Sequence, residues 1–263
     1  MSSQKELIIF SVYHKEYLTP QVDYIIPVHA GKQNATLNLP FIGDNVGENI
    51  SHLNSSFCEL TVLYCIWKNK LYNNAAYWGL AHYRRYLIAD NLWIKLNKIK
   101  QVKYELSTKN FEIVFCQKHY QKLLNYLQQG FILIPNPPSV INKTKGIFNL
   151  KQHYCIDHDP LGWQAMEDAI KKLYPNYTNS FNAVGESNRF IPYNIMMAPV
   201  KFYNEYLTWL FAIMFEINKT YEIPTDSYQS RALGFMSERL MNVYLHQHKS
   251  TLKLKHLPIA MFI

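Results

Sequence analysis

Gly79-Leu-Ala-His-Tyr-Arg-Arg-Tyr86 is the stretch on which the reading of this chain turns. An apolar run over residues 77–81 leads straight into a histidine and two adjacent arginines flanked by tyrosines. Neighbours on a strand point to opposite faces, so Leu80, His82 and Arg84 would share one side and Ala81, Tyr83 and Arg85 the other. One apolar core cannot take both arginines. In an open α/β sheet the C-terminal end of such a strand opens on the crevice where ligands bind. The guanidinium fork suits phosphate, so the expected ligand at Arg84 and Arg85 is a diphosphate. A pair of surface ion pairs at a strand end is the other reading of the same residues.

The chain of 263 residues is long enough to bury a substantial core, and 20 Tyr and 14 Phe give it an aromatic interior. Its net charge of +8 implies attraction to something anionic, which leaves nucleic acid, an anionic membrane surface and a phosphorylated small molecule open. Cys58, Cys65, Cys116 and Cys155 have no close Cys-x-x-Cys pairing, so reduced thiols are expected. The N-terminal Met-Ser-Ser-Gln-Lys-Glu lacks the apolar segment of a leader, and no apolar run reaches the roughly 18 residues of a membrane span. A cytoplasmic protein is expected.

Strands are expected over residues 7–12, 24–28, 77–81, 112–116 and 131–134, with Pro27 placing the second at an edge or strand end. Ser56-Phe-Cys-Glu59 fits a capping box opening a helix to Asn69, which gives Glu59 a structural rather than a catalytic role. Further helices are expected over 91–106 and 118–129, with Gly130 as C-cap. The alternation over the first 135 residues argues for an α/β fold with a mainly parallel sheet flanked by helices. Residues 136–152 and 176–189 read as loops. Pro199 opens a helix to about residue 218 that is apolar nearly all round, and Asp226 caps a last helix to about residue 248. Arg231, Gly234 and Glu238 form a stripe on that helix. A mid-helix Gly234 costs roughly 1 kcal/mol against alanine, which close packing there would justify. The tail, 249–263, is either an added strand or a membrane-surface contact.

The glycine-rich segment 43–51 reads as tight turn chemistry. Asp157-His-Asp159 is the chain's one Asp-x-Asp, a spacing that can chelate a divalent ion against nucleotide phosphates. Asp159 followed by Pro160 weakens that reading, because it is an N-cap with proline at the first position of a helix that continues through Trp163, Met166, Ile170 and Leu173. His158 is left to bond a phosphate or a sugar hydroxyl. No dinucleotide Gly-x-Gly-x-x-Gly, Walker loop or Gly-x-Ser-x-Gly elbow occurs, which removes the common dehydrogenase, NTPase and α/β-hydrolase readings.

Taken together, several stretches resemble bacterial capsule, exopolysaccharide and lipopolysaccharide glycosyltransferases that share one domain long labelled as of unknown function. The matching pieces are Gly43-Asp-Asn-Val-Gly-Glu-Asn-Ile-Ser51, Phe57-Cys-Glu-Leu-Thr61 with Trp67-Lys-Asn69, Gly79 to Tyr86, Pro192-Tyr-Asn194 with Met196 and Met197, Trp209-Leu-Phe211 with Phe215-Glu216, and Tyr228-Gln-Ser-Arg231 with Gly234-Phe-Met-Ser-Glu-Arg-Leu-Met-Asn242. They run in the family's order along nearly the whole chain. The resemblance implies one domain over 1–263 with a glycosyltransferase-A-type, Rossmann-like sheet and a helical C-terminal third. Residues 1–135 would bind a nucleotide sugar and 136–263 would form the acceptor side. It implies transfer of a sugar, with galactose in pyranose or furanose form among the family's activities, from a nucleoside diphosphate, UDP foremost.

Asp44, Asn45, Asn49, His82, Arg84, Arg85, Asn194, Arg231, Glu238 and Arg239 stand at positions matching the family's motifs, and His158 matches a histidine of the family. Asp159-Pro-Leu-Gly-Trp163 and Gly130-Phe131 depart from the more acidic sequence expected there. On this reading His82, Arg84 and Arg85 supply the electrostatic stabilisation that Mn²⁺ or Mg²⁺ on Asp157 and Asp159 would otherwise supply. Asp44 and Asn49 are candidates for the uridine or ribose, and Glu238 or Asp44 for orienting or deprotonating the acceptor. The implied partners are a nucleotide sugar and a saccharide or lipid-linked saccharide at the inner membrane face, with no nucleic acid. A binding module for nucleic acid or carbohydrate, or an inactive scaffold, are the competing classes; dispersed basic residues without a recognition motif argue against the first.

Overall fold

The computed structural model describes residues 5–226 and 228–263, apart from the side chain of Lys95; residues 1–4, on which the leader reading partly rested, lie outside it. Strand β1 (Leu7–Tyr13) is buried along its whole length. Ile8, Phe10 and Val12 face one core and Leu7 and Ile9 the other, which is why a continuous apolar run rather than an alternating one encodes it. It pairs in parallel with β2 (Ile25–His29), which pairs in parallel with the short β3 (Ile42–Gly43). Helices α1 (Asn54–Phe57) and α2 (Leu60–Asn69) then lead to β4 (Tyr77–His82), parallel to β1 on its other side.

The chain does not run on through the arginines. It reverses at Tyr83 and Arg84 into β5 (Arg85–Leu87), with His82 directly opposite Arg85. Opposed residues of an antiparallel pair share a face, so His82 lies with Arg85 and not with Arg84.

Next come α3 (Leu92–Leu96), β6 (Gln101–Tyr104), α4 (Thr108–Val114), α5 (Gln117–Gln128) and β7 (Phe131–Pro135). The helix expected over 91–106 is therefore a single turn and a strand. Gln101 and Lys103 point out while Val102 and Tyr104 are half-buried, a period of two. The strand expected over 112–116 is largely helix: Ser107 caps α4 by accepting from the Asn110 amide, and Phe111 and Val114 bury one face at i, i+3. Gly130 has φ +83 and ends α5 as expected.

The C-terminal half contributes α6 (Leu150–Asp157), α7 (Pro160–Leu173), α8 (Thr178–Glu186), β8 (Met196–Pro199), α9 (Val200–Thr220), α10 (Ala232–Gln247), β9 (Lys253–Leu257) and β10 (Ile259–Phe262). Helix α8 replaces an expected loop; its polar composition hides one buried stripe of Ser180, Phe181 and Val184. Helix α6 likewise begins inside the expected loop, capped by Asn149 on the Gln152 amide. The tail is strand: β10 pairs with β5 and β6, and β9 with β7, with Leu257, Ala260 and Phe262 buried. It is thus part of the sheet, as the added-strand reading expects.

The result is a mixed, mainly parallel sheet in the order β3-β2-β1-β4-β5-β10-β6, with β8 antiparallel to β4 and β7. One face packs on α2, α7, α9 and α10, where Trp78 stacks on Tyr203 at 3.7 Å between centroids, and the other packs chiefly on α4 and α5. At Gly79 a side-chain carbon would approach the Met196 carbonyl oxygen to 2.8 Å, so only glycine lets β4 and β8 pair there.

Candidate functional site

Parallel strands β1, β2 and β4 end on the same edge of the sheet, and a cleft of about 340 Å³ opens there. His14 from the end of β1, Ala30 after β2, His82 on β4, Cys58 and Glu59 from the α1–α2 junction and Arg231 before α10 line it. Arg231 and Glu59 are the charged side chains of that lining, and two further cations stand beside it at the ring of Tyr83, which also lines the cleft. Lys15 and Arg84 both lie over the Tyr83 ring, at 5.2 and 5.5 Å from its centroid, and the His14 ring meets the same tyrosine edge-on. Burial, and then the charges of Lys15, Arg231 and Arg84 among others, hold the His14 imidazole below its ordinary pKa.

A second cleft of about 720 Å³ lies on the C-terminal side, lined by Phe190, Tyr193, Tyr228, Phe235, His153, His158, Glu238 and Arg239 among others. His158 stacks on Phe235 at 4.1 Å and, more distantly, on Tyr228 at 6.0 Å. Burial first and Arg239 second bring the His158 ring down to about 4, so it is a neutral imidazole at neutral pH.

The clefts share a wall. His82 Nε2 lies 2.8 Å from the Tyr193 carbonyl oxygen, and the Tyr193 amide donates to Glu238 Oε1 at 3.1 Å. Burial lowers the His82 pKa, and because a carbonyl only accepts, the neutral ring carries its proton on Nε2 and leaves Nδ1 basic. Arg85 lies over the Tyr193 ring at 4.7 Å, on the His82 face. Beneath them Asn194 donates through Nδ2 to Glu59 Oε1 and Ser237 Oγ, each at 2.8 Å. Tyr193 and Asn194 have φ of +74 and +52, two successive left-handed residues without glycine. Such strain persists only where surroundings hold it, here by His82, Glu238 and Glu59.

Burial pushes the Glu238 carboxyl up to about 7, against the pull of Arg239, and the neighbouring Glu59 adds to the rise. Glu238 Oε2 still accepts from Arg239 Nη1 at 3.1 Å, and the nearly inaccessible Arg239 lies over the rings of Phe190 and Tyr154 at 4.6 and 5.2 Å. A carboxyl with a pKa near 7 that lines an open cleft is suited to taking a proton.

Several expected site residues are thus brought together: His82, Arg85, Asn194, Glu238 and Arg239 at the shared wall, Arg231 and Arg84 toward the first cleft, His158 in the second. Others are placed elsewhere. Asp44 is fully buried, and its oxygens accept from the Gly31 amide at 2.7 Å, the Lys32 amide at 3.0 Å and the hydroxyls of Ser51 and Thr61 at 2.5 Å each. It organises the loop after β2 and has no free oxygen for a ribose or an acceptor. We expect Asp44→Ala to lower unfolding stability by about 3 kcal/mol, because four donors lose one buried acceptor, and a urea titration reads this directly.

Asn49 is half-buried and bonds within its own loop, donating to the carbonyls of Asn45 and Gly47, while Asn45 is exposed at the loop surface. Asp159 accepts from the Leu161 amide at 3.0 Å and the Tyr221 hydroxyl at 2.7 Å, and Asp157 pairs with Lys145 at 3.0 Å and His153 at 3.6 Å. The two carboxylates are turned to separate partners, so the pair does not fit a chelate for one ion. Among the described residues no group of three or more His, Cys, Asp or Glu side chains has the arrangement of a metal site.

The capping box expected at Ser56 and Glu59 does not form, since neither side chain caps a helix. Cys58 breaks the helix at φ +51, Ser56 Oγ donates to the Leu53 carbonyl, and Glu59 turns into the site. Gly234 is explained by the same junction: a side-chain carbon there would come within 3.0 Å of Cys58 Sγ. Burial pushes the Cys58 thiol up to about 12, which makes it a packing group and not a nucleophile.

A model of a domain of unknown function, DUF4422, matches residues 8–249. The chain belongs to the DUF4422 family. No curated protein matches it in sequence. In structure this DUF4422 domain is similar to the bifunctional glycosyltransferase WbbM in its apo form, with 25% identity and a TM-score of 0.85 over 98% of the chain. It spans 45% of the length of that WbbM chain. The mixed, mainly parallel sheet flanked by helices of this DUF4422 domain is thus a glycosyltransferase-like α/β fold, and its C-terminal third is not helical throughout, since β8, β9 and β10 join the sheet.

Proposed function

We propose that the protein is a glycosyltransferase that takes a sugar from a nucleoside diphosphate, with UDP as the favoured carrier, and passes it to a hydroxyl of a saccharide. The observation that carries this reading is the meeting of two clefts at one wall: a cationic cleft at the strand ends and an aromatic one that presents a carboxyl of raised pKa. The donor diphosphate lies in the first, against Arg84, Arg231, Lys15 and the polar edge of His14, which together offset the charge that builds as the phosphate leaves. The acceptor sugar lies in the second, its apolar faces against Tyr193, Tyr228 and Phe235.

At the wall the acceptor oxygen bonds to the anomeric carbon while the bond from that carbon to the phosphate oxygen breaks. The acceptor proton passes to Glu238, and the nucleoside diphosphate departs with the electron pair. His82 is held by Tyr193 so that its basic Nδ1 can accept from a sugar hydroxyl, and Glu59 and Asn194 position Tyr193. The likeness to a glycosyltransferase supports the reaction class, and the resemblance to polysaccharide-assembly enzymes supports a lipid-linked saccharide acceptor at the inner face of the cytoplasmic membrane, with galactose as the first sugar to try. The positions of Asp157 and Asp159 favour side-chain cations over Mn²⁺ or Mg²⁺ for neutralising the leaving group.

The test is acceptor-dependent release of nucleoside diphosphate from a panel of sugar nucleotides, headed by UDP-galactopyranose and UDP-galactofuranose, in EDTA and in Mn²⁺. The reading expects release with a UDP-sugar in EDTA. Release from none of them, beside salt-sensitive retention of single-stranded nucleic acid, would move the protein to the binding-module class.

A further inference from the structure

Far along the sheet from the cationic cleft, the single turn α3 carries a surface that the transferase reading does not use. Successive helical residues are about 100° apart, so Leu92, Trp93 and Leu96 fall on one face and Ile94 opposite them. Ile94 is buried in the core at 7% exposure, while Leu92, Trp93 and Leu96 are 72%, 62% and 72% exposed. Trp78, Trp163 and Trp209 are at most 4% exposed, so Trp93 is set apart from them. Ile113 of α4, 59% exposed, lines a shallow cleft with Ile94 on the side of α3 turned away from those three residues. Single exposed apolar residues are ordinary, but a contiguous group of this kind marks a contact surface.

The charge around it names the occupant. Residues 91–122 hold seven lysines against two glutamates. Lys122 is paired with Asp90 just ahead of that segment, which leaves six lysines against the two glutamates. Lys98 and Lys100 are exposed and, with Arg189, His256 and the buried Asp90, line a cleft of about 390 Å³ on the other flank of α3, where Asp90 is paired with Lys255 at 3.4 Å. We propose that this face docks on an anionic lipid bilayer, with Leu92, Trp93 and Leu96 in the headgroup boundary and the lysines on lipid phosphates. A tryptophan and two leucines within a lysine collar are the composition of an interfacial anchor. A second copy of the chain fits poorly, because a two-fold contact would bring two such collars together. No described helix is long and apolar enough to cross a membrane.

Asn136 and Arg189 on the basic flank are near chain neighbours of Pro138 and Phe190, which line the aromatic cleft. A bilayer on this face therefore borders the side from which a lipid-linked saccharide would enter. That last step rests on the transferase reading, whereas the docking does not.

The experiment is flotation with vesicles of phosphatidylcholine alone or mixed with phosphatidylglycerol, with tryptophan fluorescence recorded on the same samples and UDP binding measured in parallel. The wild type is expected to float only with the anionic vesicles and to show a blue shift. Trp93→Phe should keep flotation and lose most of the shift. Lys98→Glu with Lys100→Glu should weaken binding by roughly thirtyfold or more, and the triple change of Leu92, Trp93 and Leu96 to Ser should abolish it without altering the circular dichroism spectrum. Docking is overturned if the wild type fails to float, if the triple variant floats equally, or if that variant instead turns a dimer into a monomer on sizing. Vesicle binding without nucleotide affinity would sink only the transferase reading, and nucleotide affinity without vesicle binding would sink only the docking.

Discussion

Glu238→Gln is expected to lower turnover by at least about a hundredfold while leaving the affinity for nucleoside diphosphate within a factor of two or so. Glutamine keeps the shape, and its side-chain oxygen can still accept from the Tyr193 amide, which the glutamate holds at 3.1 Å. It cannot take the acceptor's proton. Because burial brings the Glu238 carboxyl up to about 7, wild-type kcat should rise with pH through that value and level off above it. The residual activity of Glu238→Gln should lack this limb.

The same group has a stability signature of opposite sense. Its pKa is raised on folding, so between the ordinary value of 4.5 and about 7 the folded state binds more protons than the unfolded one, and stability falls as pH rises through that window. Measured against Glu238→Gln, the wild type should therefore lose on the order of 3 kcal/mol between pH 4.5 and pH 8. A carboxyl that merely paired with Arg239 would be depressed, and the comparison would run the other way.

Arg84→Ala and Arg231→Ala are each expected to weaken nucleoside diphosphate binding by about tenfold to a hundredfold, the worth of a charge-assisted hydrogen bond, with the loss shrinking as salt is raised. Arg85→Ala should act differently. Its guanidinium rests on the Tyr193 ring on the far side of the hairpin, so its removal should lower kcat through the His82–Tyr193–Glu238 wall more than it lowers donor affinity. Equal losses of donor affinity in all three variants would place the diphosphate on the hairpin as a whole and contradict this division. Calorimetric titration with UDP, paired with steady-state kinetics, separates the two outcomes.

How much of this was legible follows from what each feature depends on. Strands β1, β4 and β7 and helices α5, α7 and α9 announce themselves because their apolar residues meet the core at the intervals their geometry dictates. Helix α10 does so too, but Asp226 does not cap it. That carboxylate accepts from the Tyr228 and Gln229 amides ahead of a single 3-10 turn, and α10 opens only at Ala232 without a side-chain cap. The reversal after His82 carries no Gly, Pro or Asn, so nothing local marks it, and the side that each arginine would take was misjudged. Helices α4 and α8 were obscured for a related reason: each buries only a narrow stripe, and the cap of α4 lies upstream of the apolar letters that look like strand.

The site follows the same logic. Its residue types were visible as motifs, but motif membership does not distinguish a side chain that faces ligand from one that holds the loop. Asp44 draws its donors from Gly31, Lys32, Ser51 and Thr61, which belong to separate segments and meet only in the fold. Glu59 satisfied a local capping pattern and so lost its claim to a distant role, although its partner Asn194 is 135 residues away. The signal that could have found it is Gly234, whose tolerance of a close neighbour in mid-helix points back to the Cys58–Glu59 junction.

The central claim, that the cleft at the ends of β1, β2 and β4 binds a nucleoside diphosphate through side-chain cations, is tested most directly by calorimetric titration of the wild type and of Arg84→Ala/Arg231→Ala with UDP in EDTA. The account predicts a single site on the wild type without metal and its loss in the double variant, whose fold is checked by circular dichroism. Binding that appears only with Mn²⁺ or Mg²⁺, binding undiminished in the double variant, or no heat from UDP, CDP or GDP under any condition would contradict it.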